Sequence, residues 1–285
     1  MIYTLYNPLS NNGHGLHDAE KIKKLIEEPM EFTDVTGINI REFYENTKPQ
    51  DEIILSGGDG TVNRFLNAIY DIEKGIRIRY FQSGCGNDFA RDVREDFIND
   101  MIELNPYINN LPLITVKGKK YRFLNGIGYG VDGYCCEKGD EIKKKSKRKI
   151  NYSLIALRGL LFDYKPANAK VWVDGEEYSF NHVLMAPTMH GRYYGGGVMI
   201  APNQDRKNQD GRISLVVVHD LGKLRALTIF PFIYSGKHTK HTDVVTILEG
   251  NDIVVEYDRP APLQIDGETV SGFTGYRVTN VGGIQ

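Results

Sequence analysis

Asp51-Glu52-Ile53-Ile54-Leu55-Ser56-Gly57-Gly58-Asp59-Gly60-Thr61 is a short apolar run that empties directly into glycines, after which Val62, Phe65, Leu66 and Ile69 mark one face of a helix. A strand, a glycine turn and a helix start follow in that order. Glycine permits positive φ and close backbone approach, while the N–H groups and positive end of a helix start favour an anion such as phosphate. Thr61 is placed to cap the helix as well. Taken alone, the string also fits a tight βα turn that needs glycine for steric reasons only.

A second turn of the same kind changes the balance. Tyr80 to Ser83 runs into Gly84-Cys85-Gly86-Asn87-Asp88-Phe89-Ala90-Arg91, again a strand, small residues and a helix, now with an acid and an amide. Asn7-Pro8-Leu9-Ser10-Asn11-Asn12-Gly13 closes the first strand in the same manner. Turns from neighbouring parallel strands converge at the carboxyl edge of a sheet, where α/β proteins hold their ligands. None of them carries the Lys-Ser or Lys-Thr of a P-loop and none is a Rossmann fingerprint, so both familiar nucleotide folds are disfavoured. A GxGxxG string at Gly128-Tyr129-Gly130-Val131-Asp132-Gly133 stands outside the α/β region, ahead of a lysine run, and reads as a decoy.

Working outward, strands are expected over 1–6, 31–35, 52–56 and 77–82 and helices over 18–28 and 62–70, an alternation that argues for a parallel sheet. From Leu113 the texture changes to short β-prone runs at 170–173, 182–186, 212–218, 244–248, 253–257 and 262–265, separated by Gly, Asp and Asn turns. Helical stretches interrupt them at 151–164 and 221–234. The reading is therefore an α/β N-terminal nucleotide-binding domain over 1–111 plus an antiparallel β-sandwich or partly open barrel over 112–274.

Composition excludes more than it identifies. The 285 residues, 41% hydrophobic and 25% charged with a formal net charge of -2, lack the basic excess of a dedicated nucleic-acid binder, so no nucleic-acid partner is expected. Cys85, Cys135 and Cys136 cannot pair fully, which points to a reducing compartment, hence the cytoplasm. No signal-like segment opens the chain and no run approaches the ~20 apolar residues of a membrane span. A lipid substrate would require the protein to visit the inner face of the membrane as a peripheral protein.

Four strings now stand together: Asn7-Pro8-Leu9-Ser10, Gly57-Gly58-Asp59-Gly60-Thr61-Val62-Asn63, Gly84-Cys85-Gly86-Asn87-Asp88-Phe89-Ala90-Arg91 and Asn125-Gly126-Ile127-Gly128-Tyr129-Gly130-Val131-Asp132. Tyr194-Gly195-Gly196-Gly197, Ala201-Pro202-Asn203, Asp210-Gly211, Gly236-Lys237-His238 and Asp266-Gly267-Glu268 follow. This ordered set, spanning nearly the whole chain, resembles the bacterial diacylglycerol kinase and lipid kinase family. That family shares its catalytic domain with sphingosine kinases and is more remotely similar to NAD kinases and phosphofructokinases.

The resemblance implies an ATP-dependent lipid kinase whose phosphates rest on Asn7, Pro8, Leu9, Ser10 and Asn11 and on Gly57, Gly58, Asp59, Gly60, Thr61, Asn63 and Arg64. Gly84, Cys85, Asn87, Asp88 and Thr36 are expected near the nucleotide. Glu268 matches the family's proton acceptor, although Asp266-Gly267-Glu268 by itself reads simply as a hairpin turn. Asp59 is the expected organiser of a catalytic Mg2+, with Asp88 in support. A structural Mg2+ is implied at Asp210 with the carbonyls of Lys207 and Arg212, where sequence alone reads an Asp-Gly turn. A final stretch over 275–285 is expected to return to the first domain. The chain departs from the family pattern in two places: Cys85 stands where threonine is usual, and no lysine or arginine follows Ser10.

Lys143-Lys144-Lys145-Ser146-Lys147-Arg148-Lys149 precedes an apolar segment with Leu154, Leu157, Leu161 and Phe162, a pattern that suits an anionic bilayer or, equally, a solvated loop before a core helix. His238 and His241 read as structural or solvent-facing. Diacylglycerol is the default acceptor, with undecaprenol, a sphingoid base, ceramide and phosphatidylglycerol left open. An NAD-kinase-like enzyme on a soluble substrate and a non-catalytic nucleotide- or lipid-binding regulator are the competing readings. Exposed strand edges in the second domain would allow a homodimer.

Overall fold

The computed structural model describes residues 1–84, 86–108, 111–145 and 150–280, with Ser271 described by its backbone only. Two compact units divide the chain, Met1–Leu111 and Pro112–Gln285.

In the first unit β1 (Ile2–Tyr6) leads through α1 (Ser10–Gly13) and α2 (Gly15–Glu20) to β2 (Met30–Asp34), α3 (Ile40–Asn46) and β3 (Glu52–Gly57). Then come α4 (Asp59–Ile69), β4 (Arg77–Gln82), α5 (Asp88–Asp92), β5 (Met101–Glu103) and α6 (Asn105–Ile108). The sheet order is β2-β1-β3-β4-β5, parallel from β2 to β4 and antiparallel at β5. Central β3 is buried from Ile53 to Gly57, as an unbroken apolar run requires when both faces of a parallel sheet are covered. α4 buries Thr61, Val62, Phe65, Leu66 and Ile69, so the face read from the sequence is the packed one. It starts earlier than expected, with Gly58 as N-cap. The helix expected over 18–28 stops at Glu20 and tightens into a 3-10 turn, Lys21–Lys24, ahead of Pro29.

The second unit begins with β6 (Leu113–Val116), β7 (Lys119–Arg122), β8 (Gly126–Tyr129), α7 (Val131–Lys145) and α8 (Tyr152–Arg158). It continues with β9 (Ala167–Val173), β10 (Glu176–Val183), β11 (Thr188–Met189), β12 (Ile213–Val218), α9 (Lys223–Ile229), β13 (Val245–Gly250), β14 (Asp252–Ile265) and β15 (Glu268–Thr279). These strands form an antiparallel, sandwich-like sheet in the order β13-β12-β11-β8-β14-β15-β6-β7, with β9 joining through β14 and β10 through β9. β14 links its two parts: Ile253–Tyr257 pair with β9, and Leu263–Ile265 pair with β8. The two runs expected at 253–257 and 262–265 are thus one strand, bent where its register slips between Glu256 and Leu263. Pro260 and Pro262 fall in that stretch and cannot donate to a ladder. Ile127, Tyr129, Val171, Leu215, Val255 and Leu263 lie in the core this creates.

Two expectations need correction. Gly275 to Thr279 do not return to the first unit but end β15, in register with Asp252 to Glu256, because their alternating apolar residues complete the second core; residues 281–285 lie outside the described ones. The string Gly128 to Gly133 opens a long helix, α7, that the sequence reading left out. Within it Gly133 is a packing device: a Cβ there would sit 2.1 Å from the carbonyl oxygen of Pro262 on β14.

Candidate active site

Three turns leave the carboxyl ends of β1, β3 and β4, which are neighbours in the sheet. β1 connects outward to β2 and β3 to β4 on the other side, so the topological switch point falls between β1 and β3. At that point Asn7 Nδ2 donates to Thr61 Oγ1 across 2.9 Å, and Asn7 N donates to the Ser56 carbonyl at 3.1 Å. Asn7 also organises its own turn, its Oδ1 accepting from Leu9 N at 3.0 Å and its carbonyl from Ser10 N at 3.0 Å. Thr61 therefore does not cap α4; its hydroxyl fastens the first turn to the second.

The second and third turns are joined just as closely. Ser83 N donates to the Gly57 carbonyl at 2.9 Å, and Ser56 and Ser83 share a hydroxyl contact of 3.2 Å. A Cβ on Gly84 would lie 2.5 Å from Gly58 Cα and 2.6 Å from Asn87 Oδ1, so contact between the loops demands glycine at 84, while a Cβ on Gly58 would come within 3.3 Å of Gly84 Cα. Asp59 crosses the same gap, its carboxylate accepting from Asp88 N at 2.7 Å and Phe89 N at 3.1 Å. Its first task is to hold the third turn at the start of α5. Asp88 is buried and pairs with Arg91 at 3.0 Å. Asn87 adopts a left-handed φ of 52°, and its Oδ1, buried, accepts no hydrogen bond.

The remaining expected contacts are looser. Arg64 is exposed, and Asn63 receives the Asn67 amide through both its carbonyl and its Oδ1. Thr36 stands at the carboxyl end of β2, but its hydroxyl and amide are both turned onto Asp34 Oδ1, at 2.7 and 2.8 Å. Leu9 is exposed, and Asn11 donates its amide to buried Asp18 at 2.8 Å. Burial opposes the charge of Asp18, but hydrogen bonds from Lys21 and Asn11 outweigh it and keep its carboxyl below the ordinary range. Cys85 lies outside the described residues. Oxygen donors at Asp59 and Asp88 suit a hard cation such as Mg2+.

In the second unit Asp266 and Gly267 form the two-residue turn between β14 and β15, with φ of 45° and 90°, so the hairpin reading of this string holds. The turn projects Glu268 as an exposed side chain at the first position of β15. One important residue escaped the sequence reading. Asp132, in the first turn of α7, is half-buried with its Oδ2 fully enclosed; desolvation pushes its carboxyl up to about 7 against a hydrogen bond from Tyr194, and its Oδ2 accepts no bond. The signal was present, an acid inside the glycine string set aside as a decoy. Tyr164, its buried hydroxyl likewise without a partner, lies against Gly130 and lines a cavity of about 310 Å³ with Leu160, Leu184, Leu221, Ala226 and Lys223.

The loop with Lys207, Asp210 and Arg212 does not fit a structural cation. The Arg212 carbonyl already accepts from Gln204 Nε2 at 3.0 Å and Asn208 Nδ2 at 2.8 Å. Asp210 is exposed, with its carboxylate 3.7 Å from Arg212 Nε, and its carbonyl accepts from Asn251. Among the described residues no group of three or more His, Cys, Asp or Glu side chains could hold a metal. His238 is buried and gives Nε2 to the Ile200 carbonyl, a structural placement. Cys135 and Cys136 are free thiols.

Three turns meeting at the edge of an α/β unit, followed along the chain by an antiparallel sandwich-like unit, define an NAD-kinase-like fold class. The diacylglycerol kinase catalytic domain matches residues 1–107, and the YegS C-terminal NAD kinase beta sandwich-like domain matches residues 125–279. The chain belongs to the bacterial diacylglycerol kinase and lipid kinase family that joins these domains. It is 24% identical to YtlR of Bacillus subtilis over 98% of this chain and 96% of that one. To a diacylglycerol kinase of Mycobacterium tuberculosis it is 25% identical over 86% and 82%. A crystal structure from Bacillus anthracis shares the fold with a TM-score of 0.69 at 21% identity, covering 98% of this chain and 91% of that one. No helix of the described residues is long and apolar enough to cross a membrane.

Proposed function

We propose that this chain transfers the γ-phosphoryl group of ATP to the hydroxyl of a lipid alcohol, with diacylglycerol as the first acceptor to test. The observation that carries the reading is the meeting of the Asn7, Gly58 and Gly84 turns at the switch point of the first unit, tied by Thr61 and Asp59. Phosphoryl transfer is mainly alignment plus neutralisation of oxygens, and backbone-lined turns pinned to one another suit that task. Mg2+, when bound with the triphosphate, supplies the charge neutralisation that this lysine-poor first turn lacks. Asp59 and Asp88 are the acids placed to receive it.

On the acceptor side, Glu268 takes the proton of the attacking hydroxyl. Asp132 Oδ2 is an enclosed oxygen without a protein hydrogen-bond partner. The partly apolar cavity beside Tyr164 has room for part of an acyl chain, which favours a lipid over a soluble substrate. Lys143 to Lys145 end α7, and α8 follows with Leu154 exposed at 62%, then the Gly159–Asp163 turn with Phe162 exposed at 74%. These features support transient docking on an anionic bilayer; residues 146–149 of the basic run lie outside the described ones.

The test is purified protein with γ-labelled ATP, Mg2+ and a panel of micellar lipids, beside Glu268→Ala. Label should appear in lipid and fall by roughly 10²- to 10⁴-fold in the variant, the usual worth of a general base. Label in NAD, or nucleotide binding without any product, would refute the proposal.

A further inference from the structure

The Asp266–Gly267 turn that carries Glu268 is anchored by more than its hairpin. The Asp266 carboxylate gathers three successive amides: Leu124 N, Asn125 N at 2.9 Å and Gly126 N at 3.1 Å. Asp266 N returns a bond to the Gly126 carbonyl at 3.1 Å, and Gln264 Oε1 accepts from Gly267 N at 2.6 Å. The 124–126 segment is held in turn by other parts of the chain. Arg206 gives Nη1 to the Leu124 carbonyl at 3.0 Å and Nη2 to Asn125 Oδ1 at 3.1 Å. His190 places Nδ1 3.1 Å from the Leu124 carbonyl, and the amides of His190 and Gly191 reach the Asn125 carbonyl at 2.9 and 3.1 Å.

Arg206, Asn125 and His190 are exposed by only 6%, 4% and 3%. Desolvating a guanidinium is expensive, and an apolar side chain of similar volume would often pack here at lower cost. What the arginine adds is a rigid fork that fits two acceptors on adjacent residues, a geometry lysine cannot reproduce. We infer that Arg206 is a positioning residue for Glu268, acting through the Leu124–Gly126 segment and the Asp266 carboxylate that the segment holds. The inference rests on Glu268 being the proton acceptor of the proposed reaction.

The experiment is a double-mutant cycle of Arg206→Lys and Glu268→Gln on the full chain, assayed with ATP and micellar diacylglycerol. Misplacing a reacting group by about 1 Å costs on the order of 10²-fold, so Arg206→Lys should lower kcat by about that factor with KM for ATP changed less than about twofold. In the Glu268→Gln background the same substitution should lower kcat no further, because the group it positions is gone. Equal losses in both backgrounds, or none in either, overturn the inference. Full activity in Glu268→Gln overturns the acceptor role and this inference together; loss in Glu268→Gln with full activity in Arg206→Lys overturns this inference alone. If Arg206→Lys does not fold, Asn125→Ala, which deletes one of the two acceptors, enters the same cycle with the same expected outcome.

Discussion

Replacing Asp132 by Asn should stabilise the protein at alkaline pH and leave the gain behind at acid pH. In the folded chain burial raises this carboxyl from its ordinary 3.8 to about 7, with the hydrogen bond from Tyr194 pulling only partly the other way. Unfolding returns it to water. Between about pH 4 and pH 7 the folded state therefore holds a proton that the unfolded state has lost. Stability contributed by the neutral acid is complete below about pH 4 and declines as pH rises through 7, by ~1.4 kcal/mol per pH unit. Roughly three pH units separate the two values, so by pH 8 the ionised group costs the fold about 4 kcal/mol. Asparagine keeps the shape and an oxygen for Tyr194 without titrating. Urea unfolding of both proteins at pH 4, 6 and 8 should show the variant's advantage growing by about 4 kcal/mol across the series. An advantage that does not change with pH would refute the reasoning. The stabilised variant should also lose lipid phosphorylation, since a fold retains so costly a group where activity needs it.

Gly84→Ala should separate the second and third turns, because its methyl would meet Gly58 Cα at 2.5 Å, where backbone opposes backbone; a loss of about 1–3 kcal/mol and at least about a tenfold weaker titration with ATP are expected, and unchanged ATP affinity would count against the convergence argument. Changing the six basic residues of 143–149 to Gln should reduce sedimentation with anionic vesicles by an order of magnitude or more, at roughly 1 kcal/mol per charge, and leave neutral vesicles unaffected. Retention on anionic vesicles would remove the docking role.

Local signals made the first unit legible. The apolar run of β3, the glycines after it and the spacing of Val62, Phe65, Leu66 and Ile69 each belong to a few consecutive residues, and strand, turn and helix follow in the order read, the helix starting three residues early. The second unit was less legible wherever a distant contact overrides local preference. α7 tolerates Gly133 because Pro262, far along the chain, occupies the space of a side chain. β14 continues through Pro260 and Pro262 because its two ends serve different neighbours. The same rule governs the site. The three turns carry their chemistry in sequence, whereas the bond from Asn7 to Thr61 and the bridge from Asp59 to α5 exist only between segments. In the sequence Asp132 looks like one acid in a glycine string and Arg206 like an ordinary polar residue in a polar loop. Only burial distinguishes them.

Those two groups flank one short strand. β8 runs from Gly126 to Tyr129, with Asn125, the acceptor of Arg206, at its entrance and Asp132 just past its exit. Its partner in the sheet is the end of β14, where Ile127 faces Ile265 immediately before the turn that presents Glu268. A shift of β8 would therefore move the anchor of Glu268 and the helix start that holds Asp132 together. Glu268, on β15, and Asp132, on α7, are thus each tied to one end of the same four-residue strand. In the proposed reaction the exposed Glu268, just after the turn, would take the proton of an incoming hydroxyl, while Asp132 holds its own proton up to about pH 7. Two acids with different environments and a common mount can keep a fixed separation, which alignment of an acceptor for phosphoryl transfer requires.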